Sequence, residues 1–191
     1  SYTDKYEIND LEERRLFINS EIDEEIIDTI VYHILRYNRE DKGIDEKLRK
    51  PIKLYINSVG GDTYNGYALI SAIQSSITPV YTINQGMCAS MAFLIFLAGT
   101  KRYSMIHSIF LMHEGMNGGF DNTSKMRERI EFETGKLEDL TKNFVLSNTS
   151  ITSDLYDEKY RVEWYMLPDE AKSHGICDFI VGKDCIIDEI I

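Results

Sequence analysis

A strand–turn–helix pattern that repeats along the chain places the strongest constraint on its fold. Short apolar segments at 52–56, 80–83 and 108–112 each end in a turn that contains glycine, and helical patterns follow. Each segment is too short and too apolar to leave one face of a strand in water, as is typical of buried strands in parallel sheets. The pattern therefore predicts an α/β fold with βαβ units around a mostly parallel sheet.

Further elements extend this arrangement on both sides. The sequence predicts a strand in the run 15–19, helices at 21–38, 64–73, 89–99 and 168–173, and a strand at 176–181. The longest pattern is amphipathic and covers 123–148. Because this helix is long for a domain of this size, we expect part of it to project and to pack on another subunit.

Length and composition exclude several classes of protein. The chain has 191 residues, 43% of them hydrophobic, which suits one domain over 1–191 with a sizeable core. It contains 21 Lys and Arg and 32 Asp and Glu, and the resulting net charge of −11 argues against a nucleic-acid partner. No cluster of side chains implies a metal or an organic cofactor.

The number of cysteines and the lack of long apolar runs indicate the cellular compartment. Three cysteines cannot form a disulfide framework, and no pair has the spacing of a zinc site. No segment reaches the roughly 18 apolar residues of a membrane span, and no apolar core of a signal peptide follows the N-terminus. We therefore expect a cytoplasmic protein without a membrane partner.

Polar groups follow three of the predicted strands or their turns. Gly60 and Gly61 come after the first strand, Ser90 follows the turn after the second, and His113 ends the third. Sites in open α/β sheets form at the carboxyl ends of strands. Ser90 is either a helix N-cap or a nucleophile beside helix amides. His113 is either a structural histidine or the general base for Ser90.

Several sequence blocks together resemble one known family. The blocks 57–61 (NSVGG), 86–91 (GMCASM) and 112–114 (MHE) resemble blocks of the Clp protease proteolytic subunit family that read approximately INSPGG, GxAASM and IHQP. The block 168–178 (PDEAKSHGICD) is similar to the family's SAEEAKEYGLID. The blocks occur in the family's order, and the resemblance covers roughly 16–181. It implies the ClpP/crotonase fold and a serine peptidase.

The resemblance assigns roles to four residues. Ser90 takes the position of the nucleophile, and His113 that of the general base. The backbone amides of Gly61 and Met91 take the positions of the oxyanion hole. These roles describe acyl transfer, in which His113 removes the Ser90 proton and amides hold the tetrahedral oxyanion.

The third member of the triad is where this sequence departs from the family. An aspartate stands in the family about eight residues before the glutamate–alanine pair, and here that position holds Glu163. A glutamate keeps the charge and lengthens the side chain by one methylene. Asp157 or Asp154 are alternatives through a shifted loop, and an absent third carboxylate is another. Glu114 also replaces a glutamine beside the base.

Assembly and partners follow from the resemblance in the same way. Residues 115–148 resemble the handle region, which in the family binds substrate through its strand and joins two heptameric rings into a tetradecamer. The implied substrates are peptides and unfolded proteins inside the chamber. The N-terminal segment 1–13 is short and polar, which puts the family's AAA+ unfoldase partner in question.

Two other functions remain open from the sequence alone. One is a structural subunit of a mixed ring, whose triad is too poor for turnover. The other is a crotonase-type acyl-CoA enzyme, which shares the scaffold and a two-amide oxyanion hole. Such an enzyme needs no nucleophilic serine, and the chain lacks a basic patch for the CoA phosphates.

Overall fold

The computed structural model describes residues 2–115 and 123–191, in which seven strands form one sheet. The strands are β1 (Arg15–Ile18), β2 (Ile52–Ser58), β3 (Val80–Ala89), β4 (Lys101–Met105), β5 (Ile109–Met112), β6 (Trp164–Met166) and β7 (Phe179–Val181). The order β1-β2-β3-β4-β7 is parallel throughout. β5 pairs in parallel with β3 and antiparallel with β6. The predicted α/β class and mostly parallel sheet are confirmed.

Helices connect these strands and cover the sheet. They are α1 (Tyr2–Glu12), α2 (Tyr32–Glu40), α3 (Thr63–Gln74), α4 (Met91–Leu97), α5 (Thr123–Glu131), α6 (Glu138–Asn148), α7 (Ser153–Tyr160) and α8 (Pro168–Ser173). A π-helical turn, Phe132–Leu137, joins α5 to α6, so the long helix predicted over 123–148 is confirmed. Part of the predicted handle region, 116–122, lies outside the described residues.

The path of β3 differs from the sequence-based expectation. The predicted strand covers only 80–83, but β3 continues to Ala89 and changes its neighbour from β4 to β5 on the way. Asn84 is fully buried, and its side chain donates to the Ile109 carbonyl at 2.9 Å and accepts from the Gly86 amide at 3.2 Å. The side-chain amide therefore holds the strand together where its ladder changes partner.

Four elements were not predicted, namely α1, β4, β6 and α7, and the last strand was predicted too long. β4 begins with two cations and is only partly buried, so its apolar pattern is weak. β6 has three residues, and α7 carries mostly polar residues. The last strand occupies only Phe179–Val181. Ile176 belongs to the turn after α8, where its amide donates to the Ala171 carbonyl at 2.9 Å.

The core forms around α4. Every residue of this helix is buried, as predicted for a segment that is apolar all round. It packs against α3, α6 and β3. A helix that is hydrophobic on all sides is stable only when other elements surround it, so the long helix and the sheet together fix its position.

A buried ion pair joins the start of the sheet to the end of α2. Arg14 donates two hydrogen bonds to Asp41, at 2.7 and 2.8 Å, and the Thr78 hydroxyl donates a third at 2.7 Å. The side chain of Asp41 is 3% exposed. The hydrogen bonds from Arg14 lower the pKa of Asp41 more than burial raises it.

We expect Asp41→Ala to lower the free energy of unfolding by about 3 kcal/mol, because Arg14 is left buried without its counter-charge. Since the pKa of Asp41 is lowered in the folded chain, this contribution is complete above about pH 4 and is lost as the pH falls further. Urea titrations between pH 6 and pH 3, at fixed protein concentration, measure both effects.

Glu40→Ala is the matched control for this measurement. Glu40 lies 3.5 Å from Arg14 and is largely exposed, so its loss costs less than about 1 kcal/mol. Equal losses for the two variants would contradict the role given to the buried pair.

Candidate active site

Ser90 and His113 follow two neighbouring parallel strands. Residues Met87–Ala89 of β3 pair with Ile109–Leu111 of β5, and the Ser90 amide donates to the Leu111 carbonyl at 3.0 Å. His113 comes two residues later, directly after β5, and is half-buried. Because the carboxyl ends of parallel neighbours meet at one edge, both side chains line the same pocket.

The backbone of Ser90 has an uncommon conformation. Its φ is +53° and its ψ is −122°, in a region that non-glycine residues rarely adopt. The hydroxyl makes no capping hydrogen bond to α4, so the interpretation of Ser90 as an N-cap is not supported. A strained turn between a strand and a helix is a recurrent way of presenting a nucleophile.

Gly60 and Gly61 lie against this turn. Their φ angles are +99° and +146°, and both positions exclude a side chain. A Cβ on Gly60 would lie 2.7 Å from the Ser90 Cβ and 3.0 Å from the Met91 nitrogen. A Cβ on Gly61 would lie 2.3 Å from the Ile22 carbonyl oxygen. Gly60 therefore permits close approach to the Ser90 turn, and Gly61 permits close approach to the backbone of Ile22.

Of the two predicted oxyanion-hole amides, that of Met91 lies at the contact between Gly60 and the Ser90 turn, and that of Gly61 follows Gly60 in the chain. Met91 is the first residue of α4, so helix geometry leaves its N–H without an acceptor inside the helix. Within the described ranges, the Gly61 N–H is not among the backbone donors that form hydrogen bonds, whereas its neighbour Asp62 donates to Ile22. Two amides near Ser90 are thus available to a ligand.

Glu163 directly precedes the strand that pairs with the end of β5. The last pair of the antiparallel β5–β6 ladder is Met112 with Trp164, so continuing this register by one step would set His113 opposite Glu163. Directly opposed residues share a face of the sheet. Glu163 is nevertheless exposed and accepts a hydrogen bond from the Tyr165 hydroxyl at 3.2 Å. No hydrogen bond joins it to His113 in the described part of the chain, and its catalytic role stays a prediction.

The other carboxylates considered for the triad have different surroundings. Asp157 binds Lys142 through both of its oxygens, at 2.6 and 2.7 Å. Asp154 is exposed in the first turn of α7. Glu114, beside His113, is also exposed. Of these carboxylates, Glu163 alone has a register that aligns it with His113.

Cys88 is a second reactive residue type near the site, two positions before Ser90. It is completely buried, and burial raises the pKa of its thiol well above the usual value. A buried neutral thiol is a poor nucleophile. Cys88 is therefore not a candidate nucleophile, and Ser90 stays the predicted one.

The pocket beside Ser90 and His113 has a volume of about 80 Å³. Its lining includes residues that the sequence analysis did not single out as functional, namely Glu133, Leu137, Glu138, Thr141, Val145, Tyr156 and Tyr160. Glu133, Leu137, Thr141 and Val145 are spaced four residues apart, and so are the two tyrosines. This spacing marks one face of a helix, but only the fold shows that the face borders Ser90.

The described ranges show neither a metal-binding group nor a membrane-spanning helix. They contain no group of three or more His, Cys, Asp and Glu residues placed to hold a metal ion. No helix among them is long and apolar enough to cross a bilayer.

Comparisons with known proteins agree with this geometry. The sequence model of the Clp protease family matches residues 3–184, so the chain belongs to the Clp protease family. It is 30% identical to ATP-dependent Clp protease proteolytic subunit 1 of Synechococcus sp. (strain CC9902), over 91% of this chain and 85% of that protein. It is 29% identical to the ATP-dependent Clp protease proteolytic subunit of Dehalococcoides mccartyi (strain CBDB1), over 91% and 84% respectively. The predicted family is confirmed, and the acyl-CoA enzyme is not favoured.

We expect Gly60→Ala to lower peptidase activity by about 100-fold, because the new Cβ displaces Ser90 from its position beside the pocket. Gly43→Ala is the matched control. Gly43 also has a positive φ, of +84°, but a Cβ there has open space around it. Turnover of a fluorogenic peptide, with thermal unfolding measured alongside, compares the variants. Equal activities would show that Ser90 does not depend on this contact.

Proposed function

We propose that this chain is a serine endopeptidase and the proteolytic subunit of an ATP-dependent Clp-type protease. The observation that carries the proposal is the convergence of Ser90 and His113 on one pocket, with Ser90 in a strained turn and unused as a helix cap. The family membership and the names of the relatives support the same reaction.

The proposed reaction is acyl transfer through Ser90. His113 accepts the hydroxyl proton as Ser90 attacks the peptide carbonyl, and the amides of Gly61 and Met91 donate to the oxyanion. His113 then returns the proton to the leaving amine. In the second half of the reaction, His113 takes a proton from water, which attacks the acyl-enzyme and releases Ser90.

Glu163 is the proposed third member of the triad. The β5–β6 register, continued one step beyond the pair Met112–Trp164, supports this role, because a carboxylate opposite His113 would orient the imidazole and stabilise its protonated form. To reach the ring, the Glu163 carboxylate must exchange the Tyr165 hydroxyl for the imidazole N–H. Because Glu163 is exposed, this change of rotamer displaces no buried group.

The proposed assembly is supported by the names of the relatives, which are proteolytic subunits, and by the long helix. We propose a tetradecamer of two heptameric rings, whose chamber admits peptides and unfolded proteins supplied by an AAA+ unfoldase in the cytoplasm. Exposed Ile130, Phe132 and Leu140 on the long helix provide apolar surface for contacts between subunits. Native mass spectrometry counts the subunits, and a monomer would contradict this assembly.

A catalytically poor subunit of a mixed ring is the second candidate. The observation that favours it is the hydrogen bond between Glu163 and Tyr165, which leaves His113 without a carboxylate partner among the described residues. The two candidates differ in whether Ser90 is activated.

We expect a fluorophosphonate to form a single adduct, on Ser90, because His113 raises the nucleophilicity of the hydroxyl. The adduct is absent in Ser90→Ala and falls at least about 1,000-fold in rate in His113→Ala, as for other triads. Intact-mass spectrometry over time measures it. A folded chain that forms no adduct would favour the catalytically poor subunit.

We expect Glu163→Gln to lower peptidase turnover at least tenfold without a change in thermal unfolding, because the amide cannot stabilise the protonated imidazole as a carboxylate does. Glu114→Gln is the matched control, since it removes an exposed carboxylate next to His113 in sequence. Unchanged turnover in Glu163→Gln would assign the third role to another residue or to none.

A further inference from the structure

The pocket beside Ser90 has apolar walls and a polar, acidic end. Met91, Leu94 and Val145 provide wall surface, and the described lining includes two glutamates but neither lysine nor arginine. The first, Glu133, is buried and already accepts a hydrogen bond from Arg129 at 2.8 Å. The side chain of the second, Glu138, forms no hydrogen bond or ion pair with any residue in the described ranges, whereas its backbone N–H donates to the Glu133 and Gly135 carbonyls.

A buried hydroxyl without a partner lies next to Glu138. Tyr156 is 3% exposed and lines the pocket, yet its hydroxyl oxygen has no hydrogen-bond partner among the described residues. Burial raises the pKa of Tyr156 well above its usual value, and Glu138 contributes in the same direction. An unpaired buried hydroxyl is destabilising, so its presence in a pocket indicates a polar group that a ligand supplies.

The polar end lies away from the nucleophile. Glu138, Tyr156 and Tyr160 also line a second depression, which neither Ser90 nor His113 borders. The pocket therefore combines apolar lining from α4 with polar groups that it shares with the second depression. This is the arrangement that accommodates a long aliphatic stem with a charged tip.

Nearby cations do not satisfy Glu138. Lys142, one helical turn further along, is bound to both oxygens of Asp157. Arg161 lines the second depression and not the pocket. Thr141 offers no free donor, because its hydroxyl donates to the Leu137 carbonyl and pairs with the Tyr67 hydroxyl. A ligand is thus the natural source of positive charge for Glu138.

We propose that this pocket binds the side chain of a basic residue, with lysine the best fit, at the position that precedes the cleaved bond. The ammonium group donates to the Glu138 carboxylate and to the Tyr156 hydroxyl, while the methylene stem packs on the apolar wall. This assignment rests on the proposed function for the identity of the site as a peptide site.

Equilibrium binding to the Ser90→Ala chain tests the pocket independently of catalysis. Two fluorescent peptides that differ at one residue are compared by anisotropy: one carries lysine, and the other carries norleucine, which has the same four-carbon stem without the amine. We expect the lysine peptide to bind about tenfold more tightly, as a hydrogen-bonded charge pair provides. A peptide with arginine at that residue reports on the larger basic side chain.

Two further substitutions, made in the Ser90→Ala background, separate the pocket from general charge effects. Glu138→Gln is expected to abolish the tenfold preference for lysine, and Tyr156→Phe to reduce it. Asp139→Asn removes a neighbouring exposed carboxylate that lines only the second depression, and it is expected to keep the preference. Thermal unfolding establishes that each variant is folded.

The outcomes separate this inference from the proposed function. Equal affinity for lysine and norleucine, no binding of either peptide, or a preference that survives Glu138→Gln would overturn the lysine assignment. Fluorophosphonate labelling of Ser90 in the unmutated chain reports on the peptidase itself, whatever the binding result. A preference for lysine without labelling would support the pocket and contradict the catalytic proposal.

Discussion

The change of partner within β3 is the constraint on which the site depends. The strand leaves β4 after Asn84 and pairs with β5 from Met87 onward. Buried Asn84 makes this possible, because its side-chain amide bonds to the backbone of Gly86 in β3 and of Ile109 at the start of β5. Without it, the ladder would leave unpaired polar groups in the core. The pairing with β5 brings Ser90 to Leu111 and, two residues on, His113 to the same pocket.

The surroundings of Ser90 show how a strained backbone is maintained. Its positive φ costs about 1–3 kcal/mol, and the burial of every residue of α4 offsets that cost. Gly60 completes the support, since any larger residue would collide with the turn. The buried, fully apolar helix α4 therefore supports the site, while Ser90, the proposed nucleophile, lies just before its first residue.

The long helix has a second role beyond the contacts proposed between subunits. Its inner face supplies Glu133 and Glu138 to the pocket, and α7 supplies Tyr156 and Tyr160. The proposed nucleophile and base thus come from the sheet, whereas the proposed selectivity comes from helices outside it. A chain of this kind can change its substrate preference through the helices without changing the strands that hold Ser90 and His113.

The sequence by itself determined the fold class, the family, and the positions of Ser90, His113 and the two glycines, because short apolar strands and glycine turns depend on local chemistry. The tertiary structure decided the features that depend on pairing between strands far apart in the sequence. The partner change in β3, the weakly patterned β4 and β6, and the alignment of Glu163 with His113 all follow from which strands lie side by side. The polar end of the pocket belongs to the same group, because no local pattern joins Glu138 to Tyr156 and only packing places an unpaired carboxylate beside a buried hydroxyl.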